Sequence, residues 1–275
     1  MTRISNTTSG IYLRRQARKT NQELRDNSAK ISSGSRITKS SDDAAGLSMS
    51  TKMNANIRSQ RQASRNAQDF VSVLQIMEGR LSGQAEMMVR IRELTIQAAT
   101  GSISDNEREL LNLEVEGLIH EIKRTAESTN HLNQDLLKGD QKKFEVQVDK
   151  GNGKNDRLHI DLSDFAQTPF ALGIDTVKID KQYRAQHSLA KIDYAIESLS
   201  MSRAEVGAIQ NRIQSTIGKL GNDVANHTSS KSRITDLDYA QATAKQASAK
   251  IKQSVQTSIA GQVNNMGASY LKLLK

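Results

Sequence analysis

Apolar residues recur every three or four positions through several long segments of the chain. The first stripe covers residues 67–98, and its spacings of three, four and seven are typical of a heptad repeat. Its members are Ala67, Phe70, Leu74, Met77, Leu81, Met88, Ile91, Leu94 and Ala98. A second stripe consists of Leu111, Val115, Leu118 and Ile122. Because a capping-box pattern at Ser104 and Glu107 separates the two, we predict a helical hairpin.

The same pattern returns near the other end of the chain. Its stripe consists of Leu189, Ile192, Ile196, Leu199, Val206, Ile213, Ile217, Leu220 and Val224. Arg203 falls within it, and a charged group at such a position needs a partner from another helix. A last stripe contains Ile251, Val255, Ile259, Val263, Met266, Tyr270 and either Leu273 or Leu274, so an amphipathic helix is predicted almost to the C-terminal residue.

The period changes in the middle of the chain. Residues 143–149 and 156–162 alternate between polar and apolar, and residues 150–155 are typical of a turn. This pattern predicts a β-hairpin. The glycines at 151 and 153 lack the helix and the Ser or Thr of a phosphate-binding loop, so we interpret them as turn residues. Together the patterns predict a mainly α fold, a long helical hairpin or coiled-coil rod built from both chain ends with a small central β-hairpin element.

Composition and charge exclude several classes of protein. The 275 residues include no cysteine, no tryptophan and one proline, which excludes disulfides, Cys-ligated metals and thiol catalysis. A formal net charge of +9 could attract nucleic acid, but the basic residues are dispersed and have few aromatic neighbours. The sequence has no apolar run long enough for a bilayer span and no cleaved secretory signal. Taken alone, this indicates a cytoplasmic protein, unless an export route reads an uncleaved terminus.

Candidate chemistry is sparse. The five histidines never approach metal-ligand spacing. Gly34 and the run Ser40, Ser41, Asp42 and Asp43 are predicted to break the first helix and to cap the next, since short side-chain oxygens satisfy open amides at a helix start. A paired-carboxylate active site is the alternative for Asp42 and Asp43, but no nucleophile or metal ligand lies nearby in sequence. We therefore predict no enzyme, no catalytic residue, no metal and no cofactor.

Several motifs resemble those of bacterial flagellin. The string at 32–47, SSGSRITKSSDDAAGL, is similar to one in the amino-terminal region of that family. The resemblance continues at 90–99 (RIRELTIQAA) and returns at 203–212 (RAEVGAIQNR) and 232–239 (SRITDLDY). It covers both ends of the chain and leaves about 60 residues between the helical arms, which is typical of a short, core-only form without inserted central surface domains.

The resemblance implies a secreted structural subunit that polymerises into the extracellular flagellar filament and so serves motility. It implies domains as well. Residues 1–42 and 236–275 would be terminal coiled-coil arms of an inner tube. Residues 43–140 and 180–235 would form a helical outer core, with the hairpin and its connection at 141–179. We expect an assembly seam made by Ile4, Ile11, Leu24, Ile251, Val255, Ile259 and Val263.

The resemblance also implies partners. These are identical or related flagellins, the flagellar export apparatus, an export chaperone, the filament cap and the hook–filament junction proteins. Arg90, Leu94 and Glu114 match positions through which flagellins contact a vertebrate toll-like receptor, although packing alone would also explain them. No nucleic-acid partner and no membrane insertion are expected.

Three other functions stay open at this point. The opening residues 1–6 resemble those of hook–filament junction proteins, which are relatives of flagellin with shorter arms. A basic coiled-coil nucleic-acid-binding protein and an intracellular coiled-coil adaptor would carry the same stripes.

Overall fold

A computed structural model describes the backbone of residues 2–131, 134–139 and 143–272, and the side chains of residues 10–263 within those ranges, residue 155 excepted. Long helices dominate this part of the chain. They are α1 Thr2–Ser33, α2 Ala44–Ala99, α3 Asp105–Ser128, α4 Gln182–Thr235 and α5 Tyr239–Lys272. The single proline, Pro169, lies outside all of them, so no helix loses a backbone hydrogen bond to it. The predicted mainly α fold is confirmed.

Two small antiparallel hairpins lie between α3 and α4. Strands β1 Asn130–His131 and β2 Gln134–Asp135 form the first, which the sequence patterns did not predict. Strands β3 Phe144–Gln147 and β4 Arg157–Ile160 form the second and confirm the predicted hairpin, with shorter strands. The alternation has the expected effect, because Val146 and Leu158 lie opposite each other and are both buried.

The described chain divides into two compact units. The first contains residues 1–57 and 226–275, and the second contains residues 58–225. The large apolar core belongs to the second unit, where α2, α3, α4 and the hairpins contribute to one cluster.

The predicted stripes form this core. Every member of the first stripe, from Ala67 to Ala98, is buried. Val115 and Ile122 on α3 and Ile192 on α4 are fully buried as well, and the remaining members of their stripes are buried or half-buried. A narrow heptad seam is therefore sufficient to bury the apolar residues of these long helices.

The start of α3 follows the predicted capping box. The hydroxyl of Ser104 accepts a hydrogen bond from the Glu107 amide, and the Glu107 carboxylate accepts one from the Ser104 amide at 2.6 Å. Buried Arg108 then donates to the carbonyls of Ala98 and Thr100, both at 2.8 Å. The carbonyls at the end of α2 and the amides at the start of α3 are thus satisfied at the same turn.

The predicted partner for Arg203 comes from α2. Its guanidinium lies 2.9 Å from the Glu78 carboxylate and remains partly exposed, while the neighbouring Ser202 is buried in the seam. Arg92 and Asp193 make a second ion pair between α2 and α4 at 2.7 Å. Both pairs flank the apolar stripe, where charges keep contact with water and favour one alignment of the two helices.

A buried polar layer interrupts the apolar seam of α2. The fully buried Gln84 side chain donates to the carbonyl of Ile122 at 3.2 Å and to that of Gln167 at 3.3 Å. The Gln167 amide group in turn donates to the Ser202 hydroxyl at 2.8 Å. These bonds fix the irregular connection before α4 against three helices at one level of the seam.

Burial predicts how two leucines differ in their contribution to stability. Leu81 is fully buried and Leu110 is 68% exposed. Leu81→Ala should lower the free energy of unfolding by about 2–5 kcal/mol, because it removes packed methyl groups and leaves a cavity. Leu110→Ala should change it by less than about 0.5 kcal/mol. Urea unfolding of the monomer measures both values, and equal losses would contradict this description of the core.

Candidate assembly site

Within the first unit, the turn between α1 and α2 pairs with the turn between α4 and α5. We call residues 34–43 and 236–238 the paired turns. The Leu237 amide donates to the Gly34 carbonyl at 3.0 Å, and the Arg36 amide donates to the Thr235 carbonyl at 2.7 Å. Gly34 has a positive φ of 67°, and a β-carbon there would lie 2.9 Å from the Tyr239 hydroxyl. Only glycine meets both conditions without strain.

Asp42 organises the first of the paired turns. One carboxylate oxygen accepts hydrogen bonds from the amides of Thr38 and Lys39 at 3.0 and 3.1 Å. The other oxygen lies 3.2 Å from the Lys30 ammonium on α1. The backbone amides, that of Thr38 foremost, and the Lys30 ammonium hold the pKa of the Asp42 carboxyl well below its usual range.

The neighbouring Asp43 caps α2, as its carboxylate accepts the Gly46 amide at 2.8 Å. The capping interpretation is therefore confirmed for Asp43. Asp42 does not cap α2, because its carboxylate accepts amides that precede the helix and also pairs with Lys30. Across the described side chains, no group of three His, Cys, Asp or Glu residues could hold a metal ion. No described helix has the length and apolarity needed to cross a bilayer.

The contact between α1 and α5 consists largely of small and polar side chains. We call it the arm seam. Among its described members only Thr20, Ala242 and Ala249 are buried. Side-chain amides join the helices. Asn27 donates to Gln246 at 3.1 Å and to the Ala242 carbonyl at 2.8 Å. Gln253 donates to Asn21 at 2.7 Å, and Gln256 donates to Thr20 at 3.1 Å.

The residues predicted for the assembly seam fall into two groups. Leu24 and Val263 are half-buried, each on a helix of the arm seam. The other group is exposed and consists of Ile11, Ile251, Val255 and Ile259, at 48%, 65%, 50% and 42%. Ile4 lies in α1, but its side chain is outside the described residues. The apolar residues Ile251, Val255 and Ile259 of α5 are therefore not buried against α1 within the chain.

A second heptad face of α5 forms the arm seam instead. Its members recur at spacings of four and three and are Ala242, Gln246, Ala249, Gln253, Gln256, Ala260 and Val263. Apolarity alone did not reveal this face, since only alanine and glutamine occupy it before Val263. The regular spacing of small and amide side chains was the signal that could have found it.

The three residues predicted for receptor contact lie in the second unit. The Arg90 guanidinium on α2 lies 2.8 Å from the Glu114 carboxylate on α3 and also pairs with Glu93 at 3.3 Å. The Glu114 hydrogen bond is the main reason that the pKa of Arg90 is raised. Arg90 and Glu114 are exposed, whereas Leu94 is only 2% exposed and belongs to the core.

Comparison with known protein families covers both ends of the chain. Residues 4–142 match the bacterial flagellin N-terminal helical region, and residues 189–274 match the bacterial flagellin C-terminal helical region. A flagellin of Halalkalibacterium halodurans is 33% identical over 246 residues, which are 90% of each chain. The two chains are thus of nearly equal length, and neither carries a long insertion relative to the other.

Solved structures agree with this result. The crystal structure of Bacillus cereus flagellin has a TM-score of 0.51 and 25% identity, covering 57% of this chain and 88% of that one. A flagellar hook-associated protein from Vibrio parahaemolyticus has a TM-score of 0.57, covering 71% of this chain and all of its own, but at 15% identity it shares only the fold.

These matches define a structural protein of the bacterial flagellum. Within that class, the chain belongs to the bacterial flagellin family. It is a short flagellin without inserted central surface domains, a structural subunit of the extracellular flagellar filament and not an enzyme. Membership of this family explains the heptad stripes, so the alternatives of a coiled-coil adaptor and a nucleic-acid-binding protein are dropped.

The charge on Asp42 predicts how stability depends on pH. Its pKa is lower in the folded chain than the ordinary 3.8. Its contribution is therefore complete above that value and is lost as the pH falls below it. Asp42→Asn should lower the free energy of unfolding by about 1 kcal/mol at pH 7, the net contribution of a hydrogen bond within the chain. The difference from wild type should begin to narrow at about pH 4 and should keep narrowing as the pH falls further.

Thermal unfolding over that pH range measures the difference. Asp175→Asn, at an exposed position of the second unit, is the control and should stay close to wild type throughout. A gap between wild type and Asp42→Asn that does not change with pH would contradict a charge-dependent role for Asp42.

Proposed function

We propose that the apolar stripe of α5 is the surface through which one subunit contacts the next in the filament, with Ile11 and Ile4 of α1 on the same assembly surface. The observation that carries this proposal is the exposure of Ile251, Val255 and Ile259. They lie at intervals of four residues, so they form one ridge along α5. The occupant of the ridge is a second copy of this chain.

Magnitudes favour a contact between subunits as the main stabilisation of the arms. Each side-chain hydrogen bond of the arm seam contributes only about 0.5–1.5 kcal/mol net, because water competes for the same groups. Full burial of an isoleucine or valine contributes about 1.5–3 kcal/mol. Burying the ridge against a neighbour would therefore add several kcal/mol per subunit, and a repeated non-closing contact between identical chains gives a helical filament.

This proposal assigns the domains. Residues 1–42 and 236–275 form the inner tube of the filament, residues 43–140 and 180–235 form the outer core, and residues 141–179 complete it. Folding of the arms and assembly then share one free energy, since assembly supplies the apolar contact that α1 and α5 lack within the chain.

Delivery to the growing end of the filament calls for further partners. We propose the flagellar export apparatus, an export chaperone, the filament cap and the hook–filament junction proteins. The lack of cysteine and the single proline support passage of an unfolded chain, because neither disulfides nor many slow isomerisations would delay refolding outside. A hook–filament junction protein is the second candidate function, favoured by the opening residues and by the shared fold of the Vibrio protein. It would appear only at the filament base under immunolabelling.

For the vertebrate toll-like receptor, we propose contact through Arg90 and Glu114, with Leu94 supporting them from the core. Arg90→Ala should reduce signalling by a receptor-expressing reporter cell without changing the unfolding midpoint. Arg124→Ala is the matched control, because Arg124 is also an exposed arginine that pairs with a glutamate, Glu121. Equal signalling by both variants would refute the proposed contact.

The ridge is tested by a triple variant, Ile251→Gln, Val255→Gln and Ile259→Gln. Glutamine keeps helix propensity but removes the apolar surface. The monomer should keep its helical circular dichroism, while seeded polymerisation, followed by sedimentation and negative-stain microscopy, should fail. The control is Ser254→Gln with Ser258→Gln, two exposed polar positions of the same helix. Normal filaments from the triple variant would overturn the proposal.

A further inference from the structure

The turn between β3 and β4 contains Asn152 followed by Gly153, the one Asn–Gly pair in the sequence. Both residues are exposed. An asparagine before glycine is open to attack by the next backbone nitrogen on its own side-chain carbonyl, because glycine has no β-carbon to obstruct the approach. The assembly function does not use these residues, but their surroundings bear directly on that chemistry.

Two polar side chains from the strands hold the turn. The Gln147 amide donates to the carbonyls of Asp149 and Gly151 at 2.6 and 2.7 Å. Arg157, opposite Gln147 in the strand register, donates to the Gln147 side-chain oxygen at 3.2 Å. A second guanidinium nitrogen of Arg157 donates to the side-chain carbonyl oxygen of Asn152 at 2.6 Å. The carbon of that carbonyl is the one that would be attacked, and the bound cation polarises it.

The attacking nitrogen has a partner too. The Gly153 amide donates to a carboxylate oxygen of Asp156 at 2.7 Å. The same carboxylate excludes a side chain at position 151, where a β-carbon would come within 2.2 Å of it. The turn thus places the Asp156 carboxylate, a proton acceptor, on the Gly153 nitrogen that would attack. It also places the Arg157 guanidinium on the Asn152 carbonyl that would be attacked.

We propose that Asn152 is a self-modification site at which the folded hairpin promotes its own deamidation. The Gly153 nitrogen forms a bond to the side-chain carbonyl carbon of Asn152 and releases its proton to Asp156. Arg157 stabilises the negative charge that develops on the carbonyl oxygen. The bond from that carbon to the side-chain nitrogen then breaks, the nitrogen takes up the proton, and ammonia leaves a cyclic succinimide.

Solvent water completes the sequence, since the turn is exposed. Water opens the ring at either carbonyl and leaves aspartate or isoaspartate at position 152. One uncharged amide becomes a carboxylate, which lowers the formal net charge of +9 by one. The new charge lies in a turn with the exposed Lys150 and Lys154, and isoaspartate lengthens the backbone of that turn by one atom.

The test compares the full-length protein with a synthetic peptide of residues 147–157, which has the same covalent chemistry without the held turn. Both are incubated at neutral pH. Deamidation is followed by the mass gain from replacing NH₂ with OH and by chromatographic separation of the isoaspartyl form. The folded protein should react about tenfold faster than the peptide, less than the ~10²–10³ that an oxyanion donor supplies in an enclosed site.

Two variants separate the roles of the turn residues. Arg157→Lys keeps the charge but loses the fork that binds both Gln147 and Asn152, and Asp156→Asn removes the proton acceptor. Each should reduce the rate to that of the peptide, with the NMR amide shifts of residues 144–160 confirming that the hairpin remains folded. Asn152→Gln measures deamidation at all other positions, because a glutamine must close a six-membered ring and does so far more slowly than asparagine closes its five-membered ring. A folded protein that reacts more slowly than the peptide, or variants as fast as wild type, would overturn the proposal.

Discussion

Hydrogen bonds between amide and hydroxyl side chains hold α1 and α5 together. The stability of the arms therefore depends on an interaction that is weak in water. Water competes for every group in the arm seam, so each bond contributes little to the stability of a free monomer. The buried residues found in this seam, Thr20, Ala242 and Ala249, add little apolar area. A pair of long helices joined in this way is marginal in water unless another surface covers it.

The second unit shows the contrast. There the heptad stripe from Ala67 to Ala98 meets apolar residues of α3, α4 and the hairpins, and the cluster buries leucine, isoleucine, methionine and phenylalanine. Ion pairs such as Arg203 with Glu78 border the apolar residues and do not replace them. One chain therefore combines a self-sufficient core with arms whose apolar ridge faces outward, which suits a filament subunit that completes its fold on assembly.

Patterns of local origin were predictable from the sequence. The stripe of α2, the capping box at Ser104, the hairpin of β3 and β4, and the need of Arg203 for a partner all follow from spacing and residue chemistry. The arm seam was not predictable in the same way. Both faces of α5 have helical spacing. Apolarity predicts that the face with Ile251, Val255 and Ile259 packs against α1, but the face with alanine and glutamine makes that contact.

Other features depend on distant segments. Strands β1 and β2 have two residues each, which is too short for a periodic signal. The burial of Gln84 depends on where the irregular connection places Gln167. No local sequence pattern predicts the hydrogen bond between these two residues. For the candidate receptor site, spacing could place Arg90 and Leu94 on one helix, but only the three-dimensional packing separates exposed Arg90 from buried Leu94.

Amide hydrogen exchange of α1 and α5, measured in the monomer and in the assembled filament, tests the central claim most directly. Arm amides of the monomer should exchange far faster than those of the buried stripe of α2, and assembly should slow them to a comparable rate. Arm amides that are already as protected in the monomer as those of α2 would contradict it.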